Sequence, residues 1–139
     1  MTQATWLVDK SALWRAAVPT VGEALQWRIR RGLPVVSIAT ELEIGYSAQS
    51  MAGHQLMRRT VVDRLIPVAL SPRAEARARQ VQAMLVDRGQ HRSAGVADLL
   101  LAATAEVEGL AVLHDNSDFD LISALTGQPC EWVVPRGTA

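Results

Sequence analysis

Short apolar runs rich in branched side chains recur along the chain, and longer segments with helical periodicity separate them. Such runs, bounded by turn residues, are typical of strands buried in a parallel sheet. The predicted strands are residues 5–8, 33–38, 65–70, 110–114 and 132–134. The predicted helices are residues 21–31, 39 to about 51, 72–88, 94–108 and 119–126, and glycine follows four of them. This alternation predicts an α/β fold with a mainly parallel sheet and helices on both faces.

The chain has 139 residues, 49% of them hydrophobic, which is enough to bury one core. No repeat, low-complexity tract or linker divides the sequence, so we expect residues 1–139 to form a single domain. The longest stretch without a charged side chain, residues 44–57, is shorter than the roughly 18 apolar residues of a membrane span. The first ten residues do not resemble a secretion signal, so we expect a cytoplasmic protein without a membrane partner.

The charges of the chain balance, with 14 Lys and Arg against 14 Asp and Glu. This balance excludes binding to nucleic acid through a general positive excess, but it allows a local basic patch. The single cysteine, Cys130, excludes a disulfide within the chain and a thiolate metal cluster. Thirteen of the cations are arginine, and Lys10 is the only lysine.

Acidic side chains follow several of the predicted strands. Asp9 directly follows the first strand, and Glu41 comes three residues after the second. Asp115 and Asp118 come just after the fourth. Because ligand sites of open parallel sheets lie beyond the carboxyl ends of the strands, we expect these acids to meet at one edge.

Asp98 is the only charged residue between residues 96 and 105, in a predicted helix that is otherwise apolar. Burying an unpaired carboxylate costs several kcal/mol or forces it to take up a proton. No neighbouring Lys or Arg in the sequence offers compensation. Asp98 is therefore the acid that is hardest to explain by structure alone.

Helix capping is the alternative explanation for several of these acids. Asp9 precedes a helix-forming segment and is a common type of N-cap. Thr40 and Glu43 match the capping-box pattern, so we assign Glu43 to the start of the helix and leave Glu41 for the site. Asp118 follows two turn-forming residues and also has a structural interpretation.

Carboxylates gathered at one edge of a sheet repel one another unless a positive charge lies among them. Mg²⁺ or Mn²⁺ is the simplest such charge, because these ions prefer oxygen ligands and take only one or two carboxylates directly. Zinc is disfavoured, because His54, His91 and His114 lie far apart in the sequence. His114 ends a strand beside the acids and is a candidate for contact with substrate or with the metal's surroundings.

Four segments in this order resemble the PIN-domain ribonucleases of VapC toxin type. They are residues 7–13 (LVDKSAL), 40–45 (TELEIG), 97–105 (ADLLLAATA) and 113–120 (LHDNSDFD). The resemblance spans nearly the whole chain. It implies a three-layer α/β/α fold, an endoribonuclease activity that depends on Mg²⁺ or Mn²⁺, a cognate VapB-like antitoxin and a homodimer.

The resemblance also assigns the site residues by position. It implies that Asp9, Glu41 and Asp98 are the first three acids and that Asp118 is the fourth. Many relatives carry aspartate where this chain has Asn116, so Asn116 becomes a neutral oxygen ligand or a holder of water, and Asp115 stays open as a substitute. We assign direct metal contact to Asp9 and Asp98. Glu41 and Asp118 then orient metal-bound water, and either can accept its proton.

An RNA substrate must be held locally, since the chain has no net positive charge. The candidate segments are residues 28–31, 58–59 and 73–79, although Glu75 and Arg79 are spaced to pair on a helix surface. Trp14 and Trp27 could stack on bases or pack in the core. Residues 44–59 form an amphipathic segment that suits either a partner helix, such as an antitoxin or a second copy, or a cover for the core.

Two other functions remain open from the residues. A phosphoacceptor signalling domain also gathers acids at strand ends, but it needs a lysine late in the chain, and the only lysine is Lys10. A non-catalytic α/β binding module would use the same acids as caps or as ligands of a structural ion.

Overall fold

A computed structural model describes residues 5–31 and 34–139 of the chain. Five parallel strands in these two ranges form one sheet in the order β3-β2-β1-β4-β5. The strands are β1 Trp6–Val8, β2 Val35–Ser37, β3 Ile66–Val68, β4 Ala111–His114 and β5 Cys130–Trp132. The predicted parallel sheet is confirmed. The start of the second predicted strand, Leu33, lies outside the described residues.

Within the described part of the chain, seven helices connect the strands. They are α1 Lys10–Leu13, α2 Pro19–Arg31, α3 Ile38–Tyr46, α4 Met51–Thr60, α5 Pro72–Asp87, α6 Val96–Glu108 and α7 Asp118–Thr126, and a 3-10 turn spans Val62–Arg64. The helix predicted over residues 39–51 is divided, because Ser50 caps a new helix by accepting a hydrogen bond from the Gly53 amide at 3.0 Å. Gly109 ends α6 with a φ of 72°, a conformation that favours glycine.

The sheet has a hydrophobic core on each face. Successive residues of β1 point to opposite faces, so Trp6 and Val8 pack with Leu13 and Leu25 of α1 and α2. Leu7 lies in the other core, with residues of α5, α6 and α7. The α/β fold with helices on both faces is therefore confirmed. Within the described ranges, no helix combines the length and apolar character needed to cross a membrane.

Gly22 is a position where the packing of α2 requires glycine. A Cβ atom there would lie 2.7 Å from the Ala16 carbonyl oxygen, which is backbone and cannot move aside alone. Replacing a helical glycine by alanine usually stabilises a helix. Here the steric conflict should outweigh that gain.

We expect Gly22→Ala to lower the free energy of unfolding by about 1–3 kcal/mol, because the helix must shift to accommodate the methyl group. Urea denaturation measures this change. Glu23→Ala, an exposed substitution in the same helix, should change the value by less than about 0.5 kcal/mol. A Gly22→Ala protein as stable as the original would contradict this description of the packing.

Candidate active site at the carboxyl ends of the strands

A cleft of about 290 Å³ lies at the edge where β1 and β4 end. Residues that follow β1 and β4 meet there with residues of α3 and α6. The lining residues are Asp9, Lys10, Ser11, Trp14, Arg15, Glu43, Asp98 and Asn116. Three carboxylates and one side-chain amide thus share a single cleft, as expected for an edge where parallel strands end.

Asp9 is only 4% exposed and sits between β1 and α1. Its amide donates to the Leu113 carbonyl oxygen at 2.9 Å, which ties the residue to β4. Its Oδ2 accepts a hydrogen bond from the Ser11 amide at 2.9 Å, so Asp9 is also the N-cap of α1. Asp9 can therefore cap α1 and also take part in the cleft, because the capping hydrogen bond uses only one of its two carboxylate oxygens.

Asp98 is 8% exposed and lies in the first turn of α6. Its Oδ2 accepts from the Gly95 amide at 3.0 Å, which closes the start of the helix. Burial raises the pKa of Asp98 to about 6, and the negative charges of Asp9, Asp118 and Glu43 contribute to the increase. The four carboxylates therefore lie close enough for their charges to act on Asp98.

Glu43 lines the cleft, and its assignment as a capping residue is wrong. The N-cap of α3 is Ser37, whose hydroxyl accepts from the Thr40 amide at 3.4 Å. The Thr40 hydroxyl instead donates to the Val8 carbonyl oxygen at 3.2 Å and ties α3 to the end of β1. Burial raises the pKa of Glu43, Asp9 raises it further, and Lys10 lowers it.

Glu41, like Asp118, is a predicted site residue that does not line the cleft. Its Oε1 accepts from Arg58 Nη1 at 2.5 Å, and Arg58 also contacts Asp63 at 3.3 Å. Glu41 therefore links α3 to α4. The reason is helical geometry, since side chains two residues apart point about 200° away from each other around the axis. When Glu43 faces the cleft, Glu41 faces α4.

The turn after β4 supplies the remaining polar groups. Asn116 lines the cleft, and its Oδ1 accepts from the Asp118 amide at 3.0 Å at the start of α7. Asp118 acts on Asp98 through its charge. Asp115 lies outside the lining and pairs with Arg15 Nε at 3.2 Å. Of the two residues left open here, Asn116 is thus the one that reaches the cleft.

His114 is fully buried and does not line the cleft. The centroid of its ring lies 5.0 Å from the ring centroid of Phe119 and 4.9 Å from that of Trp132. Nδ1 accepts from the Asn116 amide at 3.1 Å, while Nε2 has no hydrogen-bond partner among the described residues. Burial lowers the pKa of His114, which favours the neutral ring. His114 therefore shapes the turn that carries Asn116.

The donors of the cleft fit a hydrated divalent cation. Within residues 5–31 and 34–139, no three His, Cys, Asp or Glu side chains are grouped tightly enough to hold a metal by themselves. Mg²⁺ does not require such a group, because it keeps several waters and takes one or two carboxylates directly. The lining offers carboxylate and amide oxygens, which suit Mg²⁺ or Mn²⁺ better than zinc.

The sequence is similar to known ribonucleases over nearly its full length. The PIN domain family model matches residues 6–125. The chain is 44% identical to ribonuclease VapC2 of Mycobacterium tuberculosis (strain CDC 1551 / Oshkosh) over 137 residues, which covers 98% of this chain and 97% of the relative. It is 42% identical to ribonuclease VapC21 of M. tuberculosis (strain ATCC 25618 / H37Rv) over 134 residues, with 96% and 97% covered.

The fold is similar to that of solved toxin–antitoxin proteins. The structure of VapBC2 from Rickettsia felis, bound to a DNA fragment from its promoter, matches with a TM-score of 0.78 at 16% identity, covering 92% of this chain and 98% of that chain. DNA-bound VapBC from Salmonella typhimurium matches with a TM-score of 0.77 at 19% identity, covering 95% and 100%. At these identities the likeness concerns the fold, and it agrees with the parallel sheet between helices.

The raised pKa of Asp98 predicts that the free energy of unfolding of the metal-free protein depends on pH. A folded pKa of about 6 against an ordinary value of 3.8 means that stability falls as pH rises between those values and stays low above them. We expect Asp98→Asn, measured by urea denaturation in EDTA, to be more stable than the original by on the order of 3 kcal/mol near pH 8. The difference should vanish near pH 3.

Asp87→Asn provides the matched control, because Asp87 is an exposed aspartate at the end of α5. It should change stability by less than about 0.5 kcal/mol at either pH. A destabilised Asp98→Asn protein at pH 8 would contradict the burial and repulsion described for this carboxylate.

Proposed function

Because the chain belongs to the PIN-domain family and to its VapC-type ribonucleases, we propose that it is an endoribonuclease that hydrolyses RNA phosphodiester bonds. The observation that carries this proposal is the shared cleft of Asp9, Glu43 and Asp98 with the charge of Asp118 acting on it. We further propose that residues 1–139 form one PIN domain that acts in the cytoplasm, where its RNA substrate is found.

The proposed site uses Mg²⁺ or Mn²⁺. Asp9 and Asp98 hold the ion, since both are nearly buried in the cleft and each commits one oxygen to a backbone amide. When bound, such an ion makes the attacking water more acidic and neutralises the charge that builds on the phosphate. The mutual repulsion of the acids supports this assignment, because a cation among them removes the cost of keeping all of them ionised.

Glu43 and Asp118 orient the attacking water in this proposal. Glu43 takes the role that the sequence assigned to Glu41, because Glu43 lines the cleft and Glu41 is paired with Arg58. The pKa of Glu43 is raised, so its carboxylate holds a proton more readily than an ordinary glutamate. Asn116 contributes a neutral oxygen at the same edge and fixes the start of α7 through Asp118.

We propose that a VapB-like antitoxin neutralises the enzyme and that the chain forms a homodimer. The solved structures with the same fold include toxin–antitoxin complexes. Helix α4 has no buried residue within its described range, and Leu42, Tyr46, Met51 and Leu56 of α3 and α4 are exposed. Exposed apolar groups of this kind are typical of partner surfaces.

The alternative of a non-catalytic module is favoured by one observation, since Asp9 is the N-cap of α1 and Asp98 accepts a hydrogen bond from the amide of Gly95, the N-cap of α6. A cleavage assay separates the two functions. Structured RNA should be cut in the presence of Mn²⁺, and EDTA should abolish cleavage. RNA that stays intact with purified, antitoxin-free protein and Mn²⁺ would favour the module.

The exchange of Glu41 for Glu43 gives a direct mutational test. Glu43→Gln should lower the rate of RNA cleavage by at least about 100-fold, because it removes the proton acceptor while keeping the shape of the side chain. Glu41→Gln should leave the rate within about threefold, since it only weakens the contact with Arg58. The reverse result, loss in Glu41→Gln alone, would restore the original assignment.

Cation binding should also stabilise the fold. At a concentration about 100 times its Kd, Mn²⁺ should add about 2.7 kcal/mol to the free energy of unfolding and raise the melting temperature by several degrees. Asp98→Asn should show little of this increase and should not cut RNA, although it is folded. Equal increases in both proteins would place the ion elsewhere.

A further inference from the structure

The cleft has a cationic and aromatic wall as well as an acidic one. Lys10 and Trp14, one turn apart at α1, both line it. Lys10 Nζ donates to the Ser47 hydroxyl at 2.9 Å and lies 5.4 Å from the centroid of the Trp14 ring. Trp14 is 52% exposed, so a face of a large aromatic ring borders a cleft full of carboxylates.

Lys10 differs from the other cation of the cleft. The guanidinium of Arg15 is engaged by Asp115 at 3.2 Å and by the Ser11 carbonyl oxygen, also at 3.2 Å. The hydrogen bond of Lys10 instead goes to a neutral hydroxyl, which does not neutralise its charge. A phosphate that approaches the acids is repelled by them, and Lys10 is the cation placed to offset that repulsion.

Several arginines proposed as RNA contacts are already paired. Arg28 is 8% exposed and contacts Glu131 at 2.7 Å. Arg58 contacts Glu41 and Asp63. Arg79 lies 3.7 Å from Glu75, which is the helix-surface pair that the spacing indicated. These contacts compete with binding to phosphate.

The two candidate tryptophans also differ. Trp27 packs edge-on against Trp6 at 6.3 Å between ring centroids, and Arg31 covers it at 4.6 Å. It does not line the cleft. Trp14 combines exposure with a position beside the acids, which is what a base-stacking residue next to a cleavage site requires.

We propose that Lys10 binds a phosphate of the RNA strand in the cleft and that Trp14 stacks on the adjoining base. This inference rests on the proposed ribonuclease function and adds the residues that hold the substrate. Lysine suits the task as a compact charge on a flexible stem, which can leave Ser47 for a phosphate oxygen. Stacking on tryptophan tolerates any base, so this contact holds the strand without reading its sequence.

The test uses the Glu43→Gln protein, which keeps Asp9 and Asp98 for the cation but should cut bound RNA at least about 100-fold more slowly, and a short single-stranded RNA labelled for fluorescence anisotropy. Affinity is measured over a series of salt concentrations with Mn²⁺ present. Lys10→Met should weaken binding and reduce the slope of log Kobs against log salt by about 0.7, the value for one lost phosphate contact on a single strand. Lys10→Arg should keep most of the slope.

Arg88→Met is the matched control for charge. Arg88 is exposed, follows the end of α5 and does not line the cleft. It should change neither affinity nor slope beyond error. Melting temperatures of all variants, measured in parallel, exclude an effect through unfolding.

Trp14→Ala should weaken RNA binding by roughly 5- to 100-fold at every salt concentration and leave the slope unchanged, because it removes stacking and not charge. Trp14→Phe should recover part of the affinity. An abasic nucleotide can be placed at each position of the RNA in turn. At one position, where the base that stacks on Trp14 is missing, Trp14→Ala should no longer weaken binding.

An unchanged slope in Lys10→Met, or an unchanged affinity in Trp14→Ala, would overturn the inference. So would a Trp14→Ala protein that binds RNA normally but loses a VapB-like antitoxin, since that result assigns the ring to a protein interface. Failure of the proposed ribonuclease function would look different, because the original protein itself would then not cut RNA with Mn²⁺.

Discussion

Burial of like charges at one edge of the sheet is the constraint on which the rest of the site depends. Asp9 and Asp98 are almost inaccessible to solvent, and the charges of three other carboxylates help to raise the pKa of Asp98. A fold selected only for stability would replace such a cluster with apolar side chains or pair it with arginine. The cost of keeping it is explained if a cation binds there, because the ion turns repulsion into attraction.

The scaffold holds these acids by the same interactions that start its helices. Asp9 caps α1 and Asp98 closes the first turn of α6, so each carboxylate is oriented by a backbone amide. Thr40 fixes α3 to the end of β1, and His114 fixes the turn after β4 through the Asn116 amide. Capping and catalysis are therefore compatible explanations of one residue, since a carboxylate has two oxygens. Hydrogen bonds at the ends of the strands and at the starts of the helices thus set the positions of the acids.

Much of the fold was predictable because the strands are short, branched and followed by turn residues, and because parallel topology sends their carboxyl ends to one edge. Asp9 and Asp98 could be nominated from their positions alone. Glu41 and Glu43 could not be separated, because a capping box at Thr40 fits the sequence and the true cap, Ser37, lies inside a predicted strand. The phase of a helix depends on where it begins, and sequence patterns define helix starts least well.

A crystal soaked in Mn²⁺ would show whether a divalent cation binds among these acids. We expect an anomalous-difference peak in the cleft, within coordination distance of the carboxylates of Asp9 and Asp98. Glu43 and Asp118 should approach the peak through water, and Glu41 should stay with Arg58. A cleft without a peak at saturating Mn²⁺, or a peak held by Glu41, would contradict the proposed cation site.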